Sequence, residues 1–414
     1  MLVVANMIGV GVFTTSGYTL GDLGTPGRVL AAWAVGGVLA LLGALSYGAL
    51  ARRMPASGGE YLFLSRTFHP LAGFLAGWVS LLAGFTAPIA LAALGLAAYL
   101  SPWIGDDVSK PLVATLAVLL AGCLHGFGLR AGVLVQNLVV AVKLVLLVAF
   151  VVFGAAHIPS LDRGPAPDPG PFDLGLFCVS LVWIYFSYSG WNAAVYVAGE
   201  VRDPDRNLPR SLWGGALVVC AVYLGLNAVF VYSAPPADLA YQAQVGAVAA
   251  AALGGPGLER ALSALVVIAL ATSVSAMVMM GPRVYARMAE DGLMPAFLAK
   301  GDDVPRSSIA LQVCLAVVVI WIASLRELLG YVGFTLSLSA AATICSLFVL
   351  RRREGAQAVP VPGYPWVPLL FVIPTVFVAG YMALREPMQA LRGVLTVALG
   401  IPIYFGMRRS AGRK

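Results

Sequence analysis

The chain has 414 residues, of which 60% are hydrophobic and only 11% charged, and its mean hydropathy is +0.89. Soluble domains carry roughly 45–50% apolar and ~25% charged residues, so a water-soluble globular fold is excluded and lipid is the solvent. The net charge of +7 does not point to nucleic acid, because the basic residues sit in short loops between apolar stretches, the pattern of membrane topology.

A spanning helix needs about 20 apolar residues. In chain order, the apolar stretches predict twelve helices, at 1–20, 29–51, 70–100, 110–128, 132–156, 174–199, 210–233, 258–287, 307–324, 328–350, 365–384 and 389–407. Residues 157–172 are rich in Pro and Gly and read as an extended surface loop. The Ala-rich stretch 235–257 reads as a short helix lying over one face. No connection is long enough for a soluble module. The first segment has neither a basic start nor a small-residue cleavage pattern, so it reads as a true helix rather than a signal peptide. Cys123, Cys178, Cys220, Cys314 and Cys345 all fall in apolar segments, which argues against a disulfide framework or a metal site. Lys and Arg are asymmetric. With the N-terminus cytoplasmic, most of them, including Arg52, Arg53, Arg66, Arg287 and Arg351, fall on the inner side, while few, such as Lys110 and Arg326, fall outside. That bias places both termini in the cytoplasm.

Segment 1 runs Asn6-Met7-Ile8-Gly9-Val10-Gly11-Val12-Phe13. Glycine costs about 1 kcal/mol in a helix interior relative to alanine, and two flank Val10. An interruption frees backbone groups, which a membrane tolerates only against protein or a water-filled cavity. Freed N–H groups at the start of the outer half-helix make an anion site suited to a carboxylate. Close helix packing is the competing explanation, since Gly is frequent in membrane helices and the chain has 46 of them.

Segment 6 contains Trp183-Ile184-Tyr185-Phe186-Ser187-Tyr188-Ser189-Gly190-Trp191-Asn192, polar and aromatic at mid-depth. Ser187, Ser189, Gly190 and Asn192 could serve as interhelical glue in a buried helix. Segments 1 and 6, however, open two successive sets of five helices. Interrupted segments at corresponding positions of two halves point to the midplane site of a transporter.

Every acidic residue reads as lying in a loop or near a helix end, whereas Lys143 lies roughly 16 Å along segment 5 from Gly132. A lysine stem of about 6 Å cannot snorkel from that depth to either interface. Three roles fit: carrying a coupled proton, filling a position that a sodium ion would occupy, or a static ammonium held by carbonyls and serines. With no buried carboxylate expected, a neutral, zwitterionic substrate is favoured over a polyamine. No constellation of an intramembrane enzyme is present, because His69 and His157 fall in loops and His125 lies near the inner end of segment 4.

Several runs resemble the amino acid–polyamine–organocation superfamily, in its L-amino acid transporter branch, along nearly the whole chain. They are Met7 to Phe13, Leu45-Ser46-Tyr47, and Arg53-Met54-Pro55-Ala56-Ser57-Gly58-Gly59-Glu60-Tyr61. They continue with Lys143 after Gln136-Asn137, Gly190-Trp191-Asn192, Gly199-Glu200-Val201, Pro204 to Pro209, Arg283-Val284-Tyr285 and Asp291-Gly292. The resemblance implies an all-α polytopic membrane protein with about twelve helices, working by alternating access. It implies a five-plus-five inverted repeat, with residues 1–157 and 173–352 as the repeats and two further helices in 363–409. The substrate is then expected on Ile8, Gly9, Val10 and Gly11 through its carboxylate, and on carbonyls around Phe186, Ser187 and Ser189 through its amino group. Phe186 matches an aromatic lid, with Gly190, Trp191 and Asn192 as neighbours. Lys143 matches a residue that reaches the broken part of segment 1, with Thr272 and Ser273 beside it in a sodium-like site. The expectation is a sodium-independent carrier of neutral L-amino acids, by exchange or proton coupling, with no cofactor. Alternatives are a carrier of cationic amino acids or polyamines, or a transport-inactive sensor or channel.

Three features depart from the family pattern. Val10 stands where a serine is usual, and Ala49 where a glutamate is common. The chain also begins at Met1, eight residues before Gly9, which implies an upstream start or an abbreviated inner half of segment 1. Residues 101–110 hold no cysteine, so a disulfide-linked partner is not expected. The Ala-, Val-, Leu-, Gly- and Arg-rich composition suits a bacterial inner membrane.

Overall fold

In a membrane every backbone polar group must find a partner inside the protein, which leaves helices or closed barrels as spanning structures. The computed structural model describes residues 2–105, 107–127, 133–158, 170–299 and 304–411, and these form helices and loops without a strand. Most of the loop expected at 157–172 lies outside the described residues.

The opening pair is α1 (Leu2–Met7) and α2 (Val10–Leu23), followed by α3 (Pro26–Arg53). Thr25 caps α3 through its side chain and Pro26 occupies the first turn, where its missing N–H costs nothing. A short helix that the hydropathy does not predict, α4 (Gly59–Thr67), is capped by Gly58 and opens on Gly59, both at positive φ. Next come α5 (Pro70–Val79), a π-helical stretch (Ser80–Thr86) and α6 (Ala87–Ile104), which together make one crossing. Then follow α7 (Lys110–Gly126), α8 (Val133–His157), α9 (Leu174–Tyr188), a 3-10 segment (Ala193–Glu200) and α10 (Pro204–Tyr232). The second half continues with α11 (Pro236–Leu239), α12 (Val245–Glu290), α13 (Arg306–Ile322), α14 (Leu325–Glu354), α15 (Trp366–Arg385) and α16 (Pro387–Ala411).

Among the described residues, nine helices are long and apolar enough to cross a membrane. The shorter apolar helices α7 and α13, with the interrupted pair α1–α2, bring the crossings to the expected twelve. The protein is thus an all-α polytopic membrane protein. The Ala-rich stretch departs from expectation. Its helix, 245–253, is set off from the rest of α12 by Gly254 and Gly255, the latter at φ 67°. It is buried rather than laid on a surface, with Gln244 donating to the Ala98 carbonyl at 2.8 Å and the Tyr241 N–H to the Gly17 carbonyl at 2.7 Å.

At the centre, α2 packs on α9, and α3, α6, α10, α12 and α14 surround the pair. α7, α8 and α16 turn exposed leucines and valines outward, among them Leu120, Val145 and Val394. Exposed apolar side chains on outer helices are what a lipid solvent permits. The two central helices are also the two interrupted ones.

Candidate functional site

The first interruption is narrower than two glycines suggest. α1 ends at Met7, Gly9 is extended (φ −120°, ψ −163°), and α2 starts at Val10. No side chain caps α2, so its first N–H groups, from Val10 onward, lack intrahelical acceptors. The expected break around Val10 is therefore corrected to Ile8–Gly9. Gly11 is helical, and its role is close approach: a Cβ there would sit 2.6 Å from the Cα of Ser187. Val10 turns its side chain into the core, where a Cβ on Gly95 would lie 2.4 Å from its methyl carbon.

Two side chains occupy the carbonyls freed by this break. The Lys143 ammonium, 3% exposed, donates to the Ile8 carbonyl at 3.3 Å, and the Tyr223 hydroxyl donates to the Met7 carbonyl at 2.5 Å. Ser273 faces the break, its hydroxyl 3.7 Å from where a Gly9 Cβ would stand. Thr272 spends its hydroxyl on the Ala269 carbonyl at 2.8 Å. Among the described hydrogen bonds, neither residue contacts Lys143.

The second interruption begins after Tyr188. Ser189 leaves the helix (φ −57°, ψ 156°), Gly190 takes φ 97°, and the chain resumes as the 3-10 segment. A Cβ on Gly190 would lie 2.9 Å from the carbonyl of Asn6, so the two broken chains touch there. One turn earlier, the hydroxyls of Ser187 and Thr15 pair at 2.8 Å. Trp191 is buried edge-on against Tyr47, 4.7 Å between ring centres. Asn192 points away from the first break, donating to Glu60 at 2.6 Å.

Two adjoining cavities lie at the breaks. The smaller, about 40 Å³, is lined by Gly9, Val10, Gly11, Phe186, Ser187 and Ser273, among others. The larger, about 90 Å³, is lined by Glu60, Tyr185, Gly190, Trp191, Asn192 and Tyr196, among others. Asn6, Pro88, Ser189 and Met277 belong to both walls. A cavity of about 630 Å³ elsewhere, among α4, α5, α14 and α16, has almost wholly apolar walls and touches neither break.

Residues 1–406 match the family described as amino acid permease. The chain belongs to the amino acid permease family. Its relatives agree with the superfamily branch inferred from the motifs. A serine/threonine exchanger of Bacillus subtilis, SteT, is 28% identical, over 99% of this chain and 95% of the relative. Large neutral amino acids transporter small subunit 2 of Rattus norvegicus is 27% identical, over 98% of this chain and 78% of the relative. Asc-type amino acid transporter 1 of Mus musculus is also 27% identical, over 98% and 79%. The protein is an integral membrane transporter of amino acids and not an enzyme.

One expectation for this permease is overturned. A buried carboxylate is present: Glu60, 5% exposed at the start of α4. Tyr47 donates to its Oε1 at 3.0 Å, Asn192 to Oε1 at 2.6 Å and Tyr196 to Oε2 at 2.7 Å. Hydropathy assigns Glu60 to a loop. What buries it is contact with Tyr47, 13 positions earlier on α3, and with Asn192 and Tyr196, more than a hundred positions away. The motif holding Tyr47 and Glu60 was visible in sequence, but its placement against the second break was not. Tyr223 was missed for the same reason, since nothing local marks a tyrosine in a spanning helix as facing a carbonyl of another.

Proposed function

We propose that this permease exchanges neutral L-amino acids, without sodium, across a bacterial inner membrane with both termini cytoplasmic. The single observation that supports the reading is the meeting of both interrupted helices at one small cavity, with free N–H groups on one side and carbonyls on the other. A zwitterion carries the complementary pair of charges on adjacent atoms. Its carboxylate would sit at Ile8, Gly9, Val10 and Gly11, where α2 offers unpartnered donors and the positive end of its dipole. Its ammonium would face the carbonyls of Phe186, Ser187 and Ser189, with Phe186 over the bound molecule and Gly190, Trp191 and Asn192 shaping the far wall.

Lys143 would hold the cation position of the site, with Ser273 and Thr272 nearby. An ammonium fixed on the Ile8 carbonyl supplies a positive charge where a sodium-coupled carrier would need an ion. Two five-helix repeats, in residues 1–157 and 173–352, would rock about the site, with the helices of 363–409 appended. Exchange is favoured over proton coupling because one relative's name describes an exchanger. No disulfide-linked partner is expected.

A second reading, transport of cationic amino acids, gains from the buried Glu60 carboxylate. Uptake of a labelled amino acid panel into proteoliposomes tests both readings. Uptake that requires internal amino acid and not sodium is the expected result. Uptake driven by a pH gradient alone overturns exchange, and saturation by polyamines alone overturns the neutral substrate.

A further inference from the structure

Burying a carboxylate is expensive unless hydrogen bonds or a cation compensate it. Glu60 makes no ion pair among the described residues. Its compensation is three hydrogen bonds, two on Oε1 and one on Oε2. An ionised carboxylate offers about four acceptor sites, so among the described hydrogen bonds one on Oε2 stays open. The side chain also lines the larger cavity, beside Gly190 and Asn192. That cavity adjoins the smaller one across Ser189 and Met277.

We propose that Glu60 is a specificity-determining residue, accepting a hydrogen bond from the side chain of the bound amino acid. The permease thereby favours a side chain ending in a hydroxyl or ammonium over an aliphatic one of equal size. This rests on the amino acid reading above and deepens it. With the α-carboxylate and α-ammonium at the helix breaks, the side chain extends into the larger cavity. Its remaining walls include Phe85, Met277, Met280 and Leu336, which accept an aliphatic chain but leave the fourth site of Glu60 unmet. A site whose buried polar group goes unpaired discriminates against the analogue that lacks the donor.

A purely structural role is the competing account, since Glu60 also ties α3 and α4 to the segment after the second break. The two accounts differ in a ratio. Exchange into proteoliposomes is measured for matched pairs: serine against alanine, and 2,4-diaminobutyrate against norvaline. The wild type is expected to favour the donor-bearing member of at least one pair. Glu60→Gln should reduce that preference about tenfold while alanine exchange persists, and Glu60→Asp, which keeps the charge, should reduce it less. Loss in the serine pair assigns a hydroxyl, and loss in the diaminobutyrate pair an ammonium. A wild type without preference overturns the proposal, whether or not the variants fold. So does a Glu60→Gln variant that slows both members equally or leaves the ratio unchanged. A wild type that carries no amino acid removes the underlying reading instead.

Discussion

The ammonium of Lys143 lies 3.3 Å from the carbonyl oxygen of Ile8, the residue at which the first helix is interrupted. That carbonyl has lost its helical partner, and a side chain from α8 replaces it. The same break is held from the other side by Tyr223, on α10, through the carbonyl of Met7. Two helices distant in sequence thus fix the unwound backbone whose donors face the small cavity.

Removing the ammonium should disable transport more than folding. Hydrogen bonds involving a charged group contribute about 1.5–3 kcal/mol, enough for roughly tenfold or more in rate or affinity. Lys143→Ala is expected to reach the membrane and to lose at least about tenfold in exchange. Normal exchange in proteoliposomes, with unchanged pH dependence, would show that Lys143 has no part in the cycle.

Tyr223→Phe removes one hydroxyl and keeps the ring, which packs edge-on against Trp33 with centres 5.6 Å apart. The loss of one neutral hydrogen bond is worth about 1 kcal/mol, so the substrate KM should rise several-fold with little change in thermal midpoint. A KM equal to wild type in exchange assays would argue that the Met7 carbonyl needs no anchor.

The glycines of the first break should respond in opposite ways. At Gly11 a Cβ would meet the Ser187 backbone at 2.6 Å, so α2 and α9 must separate. At Gly9 the nearest atom is the Ser273 hydroxyl at 3.7 Å, an ordinary contact, and φ is −120°. Gly11→Ala is expected to destabilise the protein by about 1–3 kcal/mol, whereas Gly9→Ala should fold with a near-normal melting temperature. Thermal unfolding in detergent checks the pair, and equal effects would contradict the assignment.

Asp173 sets the start of α9 and gives a pH prediction outside the membrane. N–H groups of Leu176 and Gly175, and the Arg385 guanidinium, hold its carboxyl below the ordinary value of 3.8. A carboxyl lowered by folding adds stability that is present above its unfolded value and lost as pH falls through the folded one. Asp173→Asn should therefore lower the melting temperature at pH 6, and the gap to wild type should close as pH drops below about 4. A gap that does not narrow at all in thermal scans as pH falls below the ordinary value of 3.8 would contradict this.

Much of the fold was legible because lipid imposes a one-dimensional rule. Apolar runs such as 29–51 and 328–350 span wherever they occur, and Lys143 stood out as a cation in such a run. The boundary at Gly9 and the separate roles of Gly9 and Gly11 were not legible. A glycine that breaks a helix and one that admits a neighbour look alike until the neighbour, here Ser187, is in place.

By itself, the sequence determined the spanning helices, their number, the permease family and the two interrupted segments. These depend on hydropathy and on motifs read along the chain. Only the tertiary structure decided what stands at the interruptions: Lys143 and Tyr223 on the carbonyls of the first, and Glu60 beside the second. The physical reason is that burial of a charge is a property of its surroundings. Glu60 begins a short polar helix that hydropathy assigns to the loops. Tyr47 on α3, and Asn192 and Tyr196 at the second interruption, make it an interior group by meeting there to supply its hydrogen bonds.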